Sequence, residues 1–321
     1  MIGVDWGISQ LRAYQIGSNG TVLATRAAPK GILTVSDGGF AATLESVISD
    51  WLDVEPEPIL MSGMIGSRQG WLEVPYLSCP ATVEEIAKGL GEVTWGEGRR
   101  GFICPGLASR DRDGVPDVMR GEEVQALGAL AGLGEPLAAI CHPGTHSKHI
   151  SVRERSITGF TTFMTGELFA VLCEHSILGR TMTQGPVDWA AFEDGIARAS
   201  QANGLLHHLF GARTRVLMND IGSASEADYL SGILIGHEIM ASAAEAPTVI
   251  VGAAELADRY LRAYRALGRD ARILTGEAAT VSGLRLIRDI VRSGGGFVHA
   301  SSTTQIADFP SETGRPGCRT I

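Results

Sequence analysis

The sequence predicts an α/β protein made of two similar halves, each a mixed β-sheet flanked by helices. Three observations carry that expectation. The chain has 321 residues, more than one ordinary hydrophobic core needs. Its first sixty residues alternate and repeat in the order strand, strand, strand, helix, strand. From about residue 137 the same order returns, although the two halves are not similar enough residue by residue to form an internal repeat.

The elements follow in order. Residues 1–5 and 11–16 read as strands, and Gly17-Ser18-Asn19-Gly20 is a hairpin turn into a third strand, 21–27. Phe40, Leu44, Val47, Ile48, Trp51 and Leu52 fall on one helical face, so 40–52 is a helix. Residues 55–58 break it, and 59–61 form a short buried strand. Asp117 is expected to open a helix that runs to about residue 133. In the second half, 137–141, 148–152 and 157–163 read as strands and 167–178 as a helix. A helix at 228–244, a strand at 247–251, a helix at 254–267, a strand at 271–274 and a helix from 277 to about 292 complete the order. Beyond about Gly294 the chain has no period and many breakers. The expected division is therefore a domain at 1–114, a second at 115–294, and a loosely attached tail at 295–321.

Bulk composition narrows the partners. The net charge is −9 with no long basic run, which argues against nucleic acid as the main partner. It leaves a phosphorylated ligand open, because backbone amides and one or two cations hold phosphate locally. Five cysteines (Cys79, Cys104, Cys141, Cys173 and Cys318) are widely spaced and form no CxxC pair, as expected in a reducing compartment. The start of the chain lacks the charge and apolar pattern of a signal peptide, and no apolar stretch reaches membrane-spanning length. A cytoplasmic protein without a membrane partner is expected; a homodimer is left open.

Five segments could carry chemistry. Asp5-Trp6-Gly7-Ile8-Ser9 follows the first strand. Gly7 lets backbone amides approach an anion, Ser9 adds a hydroxyl, and Asp5 is placed to hold a hydrated Mg²⁺. An ordinary hairpin turn explains the same residues. Pro143-Gly144-Thr145-His146-Ser147-Lys148 is the matching turn of the second half, with Gly144, Thr145 and Ser147 repeating those parts and Lys148 as a cation. His142, His146 and His149 have spacings that would suit zinc on a helix, but Pro143-Gly144 argues against a helix there. Asp117, Glu122 and Glu123 crowd the expected helix start. They either complement its dipole or supply the general base that phosphoryl transfer to an alcohol needs. Ser67, Arg68, Gln69 and Trp71, among three glycines, look like a pocket rim. Arg68 either takes a substrate carboxylate in bidentate fashion or pairs with Glu73. Gly252 and Ala253 end a buried strand before a helix, a common junction in α/β proteins.

The two-fold element order resembles that of the actin-like ATPases, two RNase H-like domains around a central nucleotide cleft. The combined segments VDWGISQLR, SGMIGSRQGW, DVMRGEEVQALG, PGTHSK and DYLSGILIG resemble the 2-dehydro-3-deoxygalactonokinase family over about residues 1–290. The resemblance implies ATP- and Mg²⁺-dependent phosphorylation of the 6-hydroxyl of a keto sugar acid, in galactonate catabolism. It implies a first phosphate loop at Asp5, Gly7 and Ser9, a second at Gly144, Thr145 and Ser147, and an adenosine turn at Gly252 and Ala253. Residues 120–127 resemble the helix start that carries the catalytic base of glycerol-type sugar kinases. That likeness puts Glu122 at the base position and leaves Asp117 as its competitor. The family loop usually reads DWGTSNLR; here Ile8 and Gln10 replace Thr and Asn, which removes one hydroxyl but keeps its amide. A kinase for another keto sugar acid or sugar, a non-catalytic sugar sensor and a filament-forming relative are the rival readings. A sensor of this type normally adds a basic DNA-binding module, for which this chain has neither room nor charge.

Overall fold

The computed structural model describes residues 1–53, 58–131, 137–154, 156–242 and 247–294. The first half begins with β1 (Ile2–Trp6), β2 (Leu11–Ile16), β3 (Val22–Ala28), α1 (Phe40–Leu52) and β4 (Ile59–Ser62). It continues through β5 (Leu77–Ser78), β6 (Ala81–Thr82), α2 (Val83–Lys88), β7 (Gly91–Trp95), β8 (Arg99–Ile103), β9 (Leu107–Arg110) and β10 (Pro116–Met119). The helix α3 (Glu122–Ala131) leads to β11 (Leu137–His142), β12 (Ser147–Arg153), β13 (Ser156–Phe163) and α4 (Thr165–His175). Then come α5 (Trp189–Ala199), α6 (Gly204–Leu217), α7 (Glu226–Ala241), β14 (Thr248–Gly252), α8 (Ala254–Ala266), β15 (Ala271–Thr275) and α9 (Gly276–Ser293).

The two large sheets have one plan. The first runs β3-β2-β1-β4-β8-β7 and the second, read from the other edge, β13-β12-β11-β14-β15, with β6 added beyond β13. In each, the first three strands form an antiparallel meander, and the first, fourth and fifth run parallel. This 3-2-1-4-5 order with an antiparallel second strand is the RNase H-like arrangement, present twice. The element order expected from periodicity is therefore observed in both halves. Strands β1 and β4 are buried almost throughout, as expected for central parallel neighbours covered on both faces.

Each sheet is covered on both sides. Ile2, Val4, Trp6, Leu44, Ile48 and Trp51 pack α1 against the first sheet. Cys141, Phe192, Ile239, Ile250, Tyr260 and Tyr264 pack α5, α7 and α8 against the second. Between the sheets lies a shared core in which Leu60 and Phe102 from the first meet Ile140 and Val249 from the second, with Leu127 of α3 and Leu284 and Ile287 of α9.

One expected element start is corrected. Asp117 does not open a helix: it lies on β10, which pairs antiparallel with β9 in a separate three-stranded sheet β10-β9-β5. The helix starts only at Glu122, after Gly121 in a left-handed turn (φ 109°). The strand β6 pairs with β13 of the second sheet, so chain from within 1–114 edges the opposite half. The expected tail at 295–321 lies outside the described residues.

Candidate active site

Parallel strands end where a crossover begins, so chemistry gathers at the carboxyl ends of β1, β4, β11 and β14. Asp5 sits near the end of β1, and Gly63 follows β4. Gly63 (φ 96°) has room for no side chain, because a Cβ there would lie 2.8 Å from the Trp6 carbonyl oxygen. A Cβ on Gly121 would lie 3.1 Å from the Gly63 Cα. Two positive-φ glycines thus let the start of α3 rest on the end of β4, bringing Glu122 close to Asp5.

The resulting cluster joins both halves. Burial pushes the Asp5 carboxyl above its usual range, Arg12 at 3.5 Å pulls it back, and the nearby Glu122 charge pushes it up again. The Arg120 amide donates to Glu122 Oε2 at 3.0 Å, while Glu122 Oε1 lies 3.8 Å from Lys148 Nζ. Lys148 is buried and donates to the His146 carbonyl. His142 stands opposite Lys148 in the β11–β12 register and bonds the side chain of Gln125, one turn along α3. Burial lowers its pKa, so it is neutral. The Glu122 side chain keeps 21 % of its surface exposed, enough for one oxygen to meet a ligand.

Its neighbour Glu123 faces inward. Oε2 accepts from the Gly121 amide at 2.7 Å, and Oε1 is buried without a partner. Burial, reinforced by the Glu122 charge, raises its pKa to about 8. Asp117 is fully committed elsewhere. Its oxygens accept from the Val118 amide (2.8 Å), the Thr162 amide (2.7 Å) and the Thr162 hydroxyl (2.6 Å), which ties β10 to β13.

The first loop is a tight turn in which the Gly7 amide bonds the Gln10 carbonyl at 2.9 Å. Ile8, Ser9 and Gln10 lie on its exposed surface, and Ile8 is 52 % exposed. The second loop packs on the first turn of α4, where the Glu167 amide donates to the Thr145 carbonyl. Gly144 faces open space and Thr145 is exposed. Ser147, expected to offer a hydroxyl to phosphate, is instead fully buried with its Oγ 2.9 Å from the Tyr260 hydroxyl, because strand alternation turns it into the sheet. Gly252 reaches the same region, with Pro143 alongside it.

The histidines do not converge. His142 bonds Gln125, His146 bonds Glu167 at 2.5 Å, and His149 bonds Glu238 at 2.8 Å, three different partners on three helices. The segment after β4 divides. Arg68 and Gln69 are exposed, and the Arg68–Glu73 contact is a long 3.5 Å pair between exposed groups. Ser67 Oγ is buried without a partner. Trp71, expected on the rim, stacks on Phe40 and meets Trp95 at a tilt, so its ring belongs to the core behind the segment. Sequence reasoning missed Arg120, which donates to the Val74 carbonyl, lies over the Tyr76 ring and joins α3 to this segment.

Residues 5–287 match the family described as 2-keto-3-deoxy-galactonokinase. The chain belongs to that family. A Rhizobium meliloti protein carried as a probable 2-dehydro-3-deoxygalactonokinase is 38 % identical over 88 % of this chain and 94 % of its own. The 2-dehydro-3-deoxygalactonokinase of Escherichia coli is 33 % identical over 90 % of this chain and 98 % of its own. A crystal structure from Sinorhizobium meliloti, described as a candidate 2-dehydro-3-deoxygalactonokinase, superposes with a TM-score of 0.81 at 35 % identity. It covers 92 % of this chain and 99 % of the other. In this kinase family member the matched span takes in both loops, the Gly252 turn and the start of α3.

Proposed function

We propose that the protein transfers the γ-phosphoryl group of ATP to the 6-hydroxyl of 2-dehydro-3-deoxy-D-galactonate, with Glu122 as the general base. The observation that carries this reading is the convergence of Asp5, Glu122 and Lys148, from different elements of both halves, beside two glycine-containing loops. Family membership supports the substrate class.

In this reading Gly7 and Ser9 face the phosphates from one side and Gly144 and Thr145 from the other. Gly252 and Ala253 lie under adenosine, and Lys148 offsets negative charge. Mg²⁺ fits the donor set: a buried carboxylate at Asp5 whose charge is disfavoured by burial and by Glu122 gains from a divalent cation nearby. When bound, that ion supplies positive charge to the phosphate oxygens. Arg68 holds the carboxylate or keto end of the substrate, with Ser67 and Gln69 beside it. As the 6-oxygen bonds to the γ-phosphorus and the bond to ADP breaks, Glu122 accepts the hydroxyl proton. Asp117 holds β10 in place and takes no proton.

Among the described residues no helix is long and apolar enough to cross a membrane. Cys79, Cys104, Cys141 and Cys173 are unpaired, which supports a cytoplasmic location. Leu206, Phe210 and Leu217 form an exposed apolar stripe on α6 and support a homodimer, to be read by sedimentation.

A coupled ADP-release assay over 2-keto-3-deoxy sugar acids and plain hexoses tests the reading. The galacto-configured acid is expected to give a kcat/KM at least about 100-fold above any hexose. Preference for a hexose, or no turnover on any acid, would overturn it.

A further inference from the structure

Behind the second phosphate loop lies a buried group that the kinase reaction does not use. Cys141 on β11 and His149 on β12 are directly opposite each other in the strand register, and Glu238 of α7 packs against both. One ligating atom from each, Sγ, Nε2 and a carboxylate oxygen, lies within 4.8 Å of the other two. Cys141 is fully buried, and the side chains of Glu238 and His149 are 1 % and 11 % exposed.

We propose that Cys141, His149 and Glu238 form a structural site for a zinc-class divalent ion. The donor set is a soft thiolate, an imidazole and a carboxylate, which suits zinc and not magnesium. The charges also balance: thiolate and carboxylate together cancel a divalent ion, so a neutral unit replaces a buried carboxylate whose side chain, among the described residues, bonds no lysine or arginine. Cys141 Sγ lies 3.8 Å from His149 Nε2. Two such ligands on tetrahedral zinc are about 3.6 Å apart. His149 Nε2 and Glu238 Oε1 lie 2.8 Å apart and hydrogen-bond. Ligation moves these two to about 3.3 Å, a shift of roughly half an ångström.

The surroundings are those of a ligated carboxylate. The Tyr260 hydroxyl donates to Glu238 Oε2 at 2.7 Å, and the same hydroxyl contacts Ser147 at the start of β12. The Tyr264 hydroxyl is buried beside Cys141 and Thr248, close enough to feel both yet in good hydrogen-bond geometry with neither. Burial and the Glu238 charge hold the Cys141 thiol protonated in the metal-free chain, so ligation displaces that proton and weakens toward low pH. The site would clamp β11, β12 and α7 together and fix the loop between the two strands from behind.

The test is Co²⁺ loading of the full chain after chelator treatment, without nucleotide or sugar acid, followed by absorption spectroscopy. One equivalent of Co²⁺ is expected to give a thiolate-to-cobalt charge-transfer band and intense tetrahedral d–d bands, both displaced by Zn²⁺. Cys141→Ser should abolish the charge-transfer band. Glu238→Gln, checked for folding by circular dichroism, should weaken Co²⁺ binding at least tenfold, and Glu122→Gln should leave the spectrum unchanged. Wild-type protein without the band, or a band that survives Cys141→Ser, would overturn the site. Since no substrate is present, neither result depends on the kinase reading.

Discussion

Glu122 and Asp117 lie five positions apart and carry the same functional group, yet their surroundings separate them. Asp117 has three hydrogen bonds at 2.6–2.8 Å, whereas Glu122 has one short contact and a cation 3.8 Å from its other oxygen. Arg68 faces a similar choice between partners. An exposed pair such as Arg68–Glu73 is worth about 0–1 kcal/mol, so exchanging Glu73 for a substrate carboxylate costs little. Arg68→Ala is therefore expected to raise KM for the sugar acid roughly tenfold or more with kcat little changed; an unchanged KM would remove Arg68 from the pocket. Glu123 gives a pH effect. Its folded pKa of about 8 lies above the unfolded carboxyl value, so its contribution is fully present below the unfolded pKa and is lost as pH rises through about 8. Glu123→Gln keeps an acceptor for the Gly121 amide and removes the titration. Thermal melts should then show the variant gaining at least ~2 °C on wild type at pH 9 relative to pH 5. Equal differences at both pH values would contradict the assignment.

At the scale of elements, the loops were legible because each directly follows a strand that periodicity identifies, and small residues mark the turn. The start of α3 was misjudged for a physical reason. Asp117 is a residue type favoured at helix starts, but Pro116 and Val118 suit an edge strand, and Gly121 resets the chain before the helix begins. The strands β5, β9 and β10 are only two to four residues long, too short to carry a period. The packing of Trp71 against Phe40 and Trp95 depends on distant segments and leaves no local trace. The second loop gives the element-scale prediction. A Cβ on Gly166, in the first turn of α4, would lie 2.4 Å from the Gly144 carbonyl oxygen, so it must displace the loop backbone. Gly166→Ala should lower kcat/KM for ATP roughly 10–100-fold while KM for the sugar acid stays near wild type. ATP kinetics unaffected by the variant would argue that this loop does not hold phosphate.

Across the whole molecule, the repeated 3-2-1-4-5 strand order sets two equivalent strand ends facing a common region, and α3 and α9 fill the core between the sheets. The division into a domain at 1–114 and a second at 115–294 is our proposal, with β6 as a strand that crosses it. What element order could not disclose is how the halves touch: that depends on Gly63 and Gly121, two glycines that read simply as turn residues until their backbones are seen in contact. This contact brings Glu122 to Asp5 and makes one site from two sheets. The most direct test compares Glu122→Gln with Asp117→Asn in steady-state kinetics at saturating ATP, with melting temperatures measured alongside. The account predicts that Glu122→Gln loses about 10²–10⁴ in kcat at wild-type stability. Asp117→Asn should lose stability but keep kcat within about tenfold. A Glu122→Gln enzyme that retains more than about a tenth of wild-type kcat would contradict it.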